Sequence, residues 1–179
     1  MNKKDAKPKK KLKLAFYWAA SCGGCEIAVL DIDEKILDVI GIADILFWPV
    51  AMDFKYKDVE AMKDNHIDIC FFNGAIRTEE QEHIAKLLRK KSNVMVAFGA
   101  CAVNGGIPGL ANISNREEVF ATAYLDNPST TNPKKTVPKT KVKVKEGELT
   151  LPEFYDTVKT LDQTVDVDYY LTGCPPTPE

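Results

Sequence analysis

Four of the five cysteines fall into three short strings that could do metal or redox chemistry. Cys22 and Cys25 form Cys-Gly-Gly-Cys just after the apolar run Leu14-Ala15-Phe16-Tyr17-Trp18. Cys101 follows Val94-Met95-Val96-Ala97-Phe98-Gly99, and Cys174 sits in Thr172-Gly173-Cys174-Pro175-Pro176 after Val167-Asp168-Tyr169-Tyr170-Leu171. Each apolar run reads as a strand, so each cysteine lies just past a strand's carboxyl end. In an open α/β sheet those ends share one rim, where ligands bind. Soft thiolates suit iron–sulfur clusters, and Cys22, Cys25, Cys101 and Cys174 complete the four-ligand set of one [4Fe–4S] cluster. Gly23 and Gly24 allow the tight turn that lets two cysteines reach one cluster. A helix beginning near Glu26 turns its positive end toward an anionic group there. Two other readings stay open. A four-cysteine zinc site usually uses two paired knuckles, whereas this chain has one pair and two singles. A thiol–disulfide enzyme needs only Cys22 and Cys25, and leaves Cys101 and Cys174 without a task.

The remaining reactive residues read as structural. Cys70 is enclosed by Ile-Asp-Ile and Phe-Phe and behaves as a small packed hydrophobe. His66 and His83 are the only histidines and are not spaced as a metal pair. Gly105-Gly106-Ile107-Pro108-Gly109 lacks the Lys-Ser/Thr ending of a phosphate loop, which argues against nucleotide binding. Glu26, Asp53 and Asp58 lie near the expected rim. Glu26, adjacent to Cys25, is the candidate for a proton-handling or cluster-side group.

Hydrophobic periodicity supplies the elements that position these residues. Strands are expected over 12–18, 44–50, 67–72, 94–98 and 165–171, with helices over 26–40, 78–91 and 116–125. Ile27, Leu30, Ile36, Leu37 and Ile40 mark the inward stripe of the first helix. Thr78 and Gln81 form a capping box at the start of the second. Alternating strands and helices predict a flavodoxin-like α/β fold, an open parallel sheet of order 2-1-3-4-5 with helices on both faces.

The 179 residues suit one domain, and 45% hydrophobic content supports a buried core. Residues 1–11 read as a basic disordered leader and 12–179 as the iron–sulfur domain, with a Lys/Thr-rich surface insert near 126–152 that includes a short hairpin across 141–149. The first thirteen residues hold seven Lys and one Asp, which leaves −8 on the rest of a chain whose net charge is −2. No aromatic residues interleave with those lysines, so nucleic acid is not an expected partner. There is no apolar segment of membrane-spanning length and no secretory signal, so a cytoplasmic location is expected. In that reducing compartment clustered cysteines point to metal or redox work rather than structural disulfides.

Taken with their neighbours, these strings resemble the small subunit of [NiFe] hydrogenases and the related cluster-bearing subunit of respiratory complex I. The strings are Trp18-Ala-Ala-Ser-Cys-Gly-Gly-Cys-Glu26, Phe98-Gly-Ala-Cys-Ala102 with Gly105-Gly106 following, and Thr172-Gly-Cys-Pro-Pro176. Asp44-Ile-Leu-Phe-Trp-Pro-Val50 and Phe72-Asn-Gly-Ala-Ile76 also match. They lie nearest the methyl-viologen-reducing branch, whose members associate with heterodisulfide reductase. The resemblance implies that Cys22, Cys25, Cys101 and Cys174 ligate a proximal [4Fe–4S] cluster. It also implies a separate large subunit that holds the Ni–Fe centre and splits dihydrogen, and a further iron–sulfur subunit to carry electrons away. The alternative it leaves is a complex I-like subunit of a membrane-linked oxidoreductase. Family members commonly continue past Gly-Cys-Pro-Pro with cysteines for further clusters, and these are not found between Cys174 and Glu179.

Overall fold

The computed structural model describes residues 10–178. Most of the expected basic leader, residues 1–9, lies outside them. In chain order the elements are β1 (Leu12–Trp18), α1 (Gly24–Leu30), α2 (Ile36–Ile42), β2 (Ala43–Phe47), α3 (Tyr56–Ala61), β3 (Ile67–Asn73), β4 (Ile76–Thr78) and α4 (Glu79–Lys91). There follow β5 (Ser92–Phe98), α5 (Ala100–Asn104), α6 (Gly106–Gly109), α7 (Arg116–Phe120), β6 (Lys141–Val144), β7 (Gly147–Thr150), β8 (Phe154–Lys159) and β9 (Tyr169–Leu171). Five parallel strands make the main sheet in the order β2-β1-β3-β5-β9. Counted along the chain, that is the expected 2-1-3-4-5.

Alternation along β1 divides the interior in two, because successive side chains point to opposite faces of a strand. Ala15 and Tyr17 enter the larger core with Phe47, Cys70, Phe72, Met95 and Ala97, closed by Ile84, Ala85 and Leu88 of α4. Leu14 and Phe16 enter the smaller core with Ala43 and Trp48, closed by Val29 of α1 and Val39 of α2. A cleft of about 260 Å³ remains on that second face, bordered by Phe16, Phe71, Phe98, Leu171 and Pro176.

The expected helix over 26–40 is broken. Helix α1 ends at Leu30, and a 3-10 turn at Asp33–Lys35, with Asp33 at φ 53°, precedes α2. Short carboxylates compete for backbone donors and tolerate the left-handed conformation, so Asp31 and Asp33 favour a turn here. The break resets the helical phase. Ile27, Leu30, Leu37 and Ile40 are therefore exposed, while Ala28, Val29, Ile32, Ile36 and Val39 line the sheet.

The last strand is also shorter than expected. The Asp168 carboxylate accepts the Met95 backbone N–H at 2.7 Å and pairs with Arg89 at 2.5 Å. It takes an amide that a longer strand would have used, and the ladder begins only at Val96↔Tyr169. Three pieces escape the periodicity: α3, the antiparallel pair β4–β8, and the short helices α5 and α6. Within 126–152 the structure has the hairpin β6–β7, and the expected helix over 116–125 ends in a π-helical turn, Ala121–Leu125.

The capping box of α4 forms as its sequence indicates. The Gln81 N–H donates to Thr78 Oγ1 at 3.3 Å, and the Arg77 and Thr78 N–H groups donate to Gln81 Oε1 at 2.8 and 3.1 Å. Thr78→Ala is expected to cost about 1 kcal/mol of stability, read as a lowered urea midpoint with an unchanged slope.

Candidate metal centre

The three cysteine strings occupy loops at one end of the sheet. Cys22 lies between β1 and α1, Cys25 is the second residue of α1, Cys101 is the second residue of α5, and Cys174 follows β9. Cys25 and Cys101 are buried, whereas Cys22 and Cys174 are exposed; all are free thiols. Two backbone bonds carry the β5–β9 pairing past the strand ends. The Gly99 N–H donates to the Leu171 carbonyl at 2.8 Å and the Ala100 N–H to the Gly173 carbonyl at 2.7 Å. They join the Cys101 loop to the Cys174 loop.

Glycine lets the first loop meet the other two. A Cβ at Gly99, where φ is +83°, would overlap Cys25 Sγ and stand 3.6 Å from the Gly173 carbonyl oxygen. A Cβ at Gly106, where φ is +49°, would lie 2.7 Å from Cys101 Sγ. The site of a Gly24 Cβ is 3.4 Å from Cys22 Sγ and 3.9 Å from Pro175 Cβ. Thus Cys25 rests on the Cys101 loop, and the Cys22–Cys25 turn rests on the proline after Cys174.

The electrostatics couple all four thiols. Burial pushes Cys25 up to about 11, and Cys101, Cys22, Glu26 and Cys174 push it the same way. Burial also raises Cys101, against a backbone hydrogen bond from Ile107 that lowers it, and Cys174 and Cys22 add to the rise. Uncompensated thiolates are disfavoured here, so metal would have to displace protons from the site. Among the described residues no group of three or more Cys, His, Asp or Glu side chains is placed to hold a single metal ion. A tetrahedral zinc site needs four sulfurs about 2.3 Å from one point. A cluster takes one thiolate per iron and has no such requirement.

Cys70 is not part of this group. It is fully buried in β3, beside Ser92, and burial pushes its thiol up to about 12. His83 is exposed, and His66 faces the Lys13 amine at 3.2 Å. Asp53 is exposed, and Asp58 caps α3 by accepting the Lys55 N–H at 2.9 Å.

Glu26 is 1% exposed. Its Oε2 accepts the indole N–H of Trp48. Its Oε1 and both amide atoms of the neighbouring Asn73 are buried without a hydrogen bond of full geometry among the described residues. Burial raises the carboxyl above the usual carboxylate range, and Trp48 and Asn73 draw it part of the way back. Arg77 is a second buried group at this end, with its guanidinium 4.3 Å from the centre of the Phe154 ring. Trp48, Asn73 and Arg77 are uncharged or isolated in sequence and carry no local signal of these contacts.

Residues 22–179 match the family model described as NADH ubiquinone oxidoreductase, 20 Kd subunit. The chain belongs to this family. Hydrogenase subunits are among the chain's relatives. The iron–sulfur subunit of an F420-non-reducing hydrogenase from Archaeoglobus profundus is 49% identical over 166 residues, covering 92% of this chain and 52% of the relative. The corresponding F420-non-reducing hydrogenase subunit of Methanothermobacter thermautotrophicus is 36% identical, covering 93% of this chain and 49% of the relative. The chain thus spans about half the length of these curated relatives. The delta subunit of the NAD-reducing hydrogenase HoxS of Cupriavidus necator is 27% identical, covering 93% of this chain and 73% of the relative. Among solved structures, a chain of an NAD+-reducing [NiFe]-hydrogenase in the H2-reduced state superposes with a TM-score of 0.79 at 28% identity, covering 94% of this chain and 85% of its own. The α/β fold is therefore that of a family of oxidoreductase subunits. Among the described residues no helix is long and apolar enough to cross a membrane.

Two glycine substitutions test, respectively, the packing of the Cys101 loop and of helix α2. Gly99→Ala combines positive φ with overlap on Cys25 Sγ, and a loss of about 2 kcal/mol or more in thermal unfolding is expected. Gly41→Ala in α2 meets nothing within 4 Å and is expected to gain up to about 1 kcal/mol.

Proposed function

We propose that this chain is the electron-transfer small subunit of a cytoplasmic [NiFe] hydrogenase, and that Cys22, Cys25, Cys101 and Cys174 hold its proximal [4Fe–4S] cluster. The observation that carries this reading is the meeting of three loops from distant parts of the chain. Each brings cysteine to the same rim, two of them are joined by backbone bonds, and Gly99 leaves the space that Cys25 Sγ occupies. A thiol–disulfide enzyme would not require Cys101 and Cys174 at that rim. A structural zinc site usually draws on two paired knuckles, whereas this chain has one pair and two singles.

When bound, the cluster would supply one-electron storage at low potential. The chain's own residues bind it and set its surroundings. Cys25 and Cys101 hold it from the buried side, and Cys22 and Cys174 from the exposed side. The Ile107 N–H directed at the Cys101 sulfur is the kind of donor that tunes such a site. The exposed side, with Trp18, Ile107, Leu110 and Ile113 open to solvent, is where a large subunit with the Ni–Fe centre would dock. A further iron–sulfur subunit, and heterodisulfide reductase beyond it, would receive the electrons. The relatives' names support a hydrogenase complex over a complex I-like, membrane-linked one.

Anaerobic purification is expected to yield about four irons per chain and broad absorbance near about 400 nm. Cys101→Ser or Cys174→Ser should abolish the cluster or leave a three-iron form, while Cys70→Ser should leave it intact. Zinc without colour, or full iron loading in Cys101→Ser, would contradict the ligand set. Co-purification with a nickel-containing soluble subunit, rather than with membrane proteins, decides the assembly.

A further inference from the structure

Helix α1 begins at Gly24. Its first turn follows Gly23, which supplies no side chain to cap it. The Glu26 and Ile27 N–H groups donate to the Gly23 carbonyl at 3.0 and 3.2 Å, the ordinary first bonds of a helix, closing a turn that encloses Gly24 and Cys25. The backbone of Glu26 is thus part of the turn on which Cys25 is carried. Its side chain then leaves that turn for the interior.

The partner it finds there is rigid. Trp48 is 2% exposed, directly beyond the end of β2. Its ring packs on Phe16 of β1 with centroids 4.6 Å apart, and Phe16 stacks on Phe71 of β3 at 5.1 Å. The indole N–H donates to Glu26 Oε2, and Asn73 at the end of β3 lies beside the same carboxyl. Three strands thus fix the place of one side chain, and that side chain fixes the turn holding Cys25. A hydrophobic residue at position 26 would fill the volume but leave the buried indole N–H without an acceptor, which is unfavourable.

We infer that Glu26 is the positioning residue for Cys25: its hydrogen bond to Trp48 pins the Cys22–Cys25 turn to the aromatic stack and holds Cys25 Sγ against Gly99. The inference rests on the reading of Cys25 as a cluster ligand. It concerns the acceptor oxygen rather than the charge of the carboxyl, so glutamine, whose amide oxygen can accept the same bond, should serve in its place.

The test uses the full chain as Glu26→Ala, Glu26→Gln and Trp48→Phe, with two readouts. In anaerobically purified protein, the electron paramagnetic resonance spectrum and midpoint potential of the reduced cluster are compared. In cluster-free, reduced protein, the rate of Cys25 alkylation is followed by mass spectrometry. Glu26→Ala and Trp48→Phe are expected to change the spectrum and potential together and to speed Cys25 alkylation roughly tenfold, the equivalent of one buried hydrogen bond. Glu26→Gln keeps the acceptor but removes a charge that raises the Cys25 thiol, so it should keep the wild-type spectrum and shift the potential and the alkylation rate by clearly less than Glu26→Ala does. A wild-type result for Glu26→Ala overturns the inference, and so does a Glu26→Gln that behaves like Glu26→Ala, which would assign the effect to charge. If Glu26→Ala does not fold, Trp48→Phe, which preserves ring packing, decides alone: wild-type spectrum and alkylation overturn the inference. A wild-type chain that binds no iron would instead refute the cluster assignment, and the alkylation comparison would still judge the position of Cys25.

Discussion

Two of the four rim cysteines are buried, their thiolate forms are disfavoured there, and the arrangement of the loops follows from how that cost is met. Burial and mutual repulsion hold Cys25 and Cys101 in the neutral form. Sulfur ligands must lose their protons to bind metal, so a positively charged metal group is the natural counterpart of such a site. Until it arrives, the protein must hold the loops in place by other means. It does so with backbone bonds between the Cys101 and Cys174 loops and with glycines whose missing Cβ atoms leave room for sulfur.

The sheet order makes the meeting possible. Strand β1 sits beside β3, and β5 lies between β3 and β9. The chain leaves β1 for β2 on one side and returns to β3 on the other, so the loop carrying Cys22 and Cys25 opens at the reversal of strand order, where ligands of open α/β sheets collect. The loops after β5 and β9 reach it across the end of β3, whose last residue is the buried Asn73. The larger core beneath, with Phe72, Met95 and Leu88 fully enclosed, supplies a stiff base for these loops. The smaller core adds the aromatic stack against which Glu26 is held.

Much of this was legible in the residues themselves. The main strands are concentrated apolar runs, and a run buried on both faces announces itself without reference to its neighbours. The capping box of α4 is equally local, since Thr78 and Gln81 satisfy each other within one turn. What escaped depends on distant partners. The stripe through Ile27, Leu30, Leu37 and Ile40 assumed one uninterrupted helix, but Asp31 and Asp33 break the phase, and those side chains face solvent. The β4–β8 pair joins Ile76 to Lys159 across most of a domain, and Phe154–Lys159 has no clean alternation to advertise it. At the rim, each cysteine could be placed past a strand end from its flanking run. The anchoring of Glu26 could not, because Trp48 lies 22 residues away and its indole N–H has no sequence signature.

The most direct test is a crystal structure of the anaerobically purified chain with data collected at the iron absorption edge. The account predicts one compact four-iron peak at the carboxyl ends of β1, β5 and β9, bonded to Sγ of Cys22, Cys25, Cys101 and Cys174. A single-ion peak, iron bound elsewhere, or any one of those sulfurs turned away from the metal would contradict it.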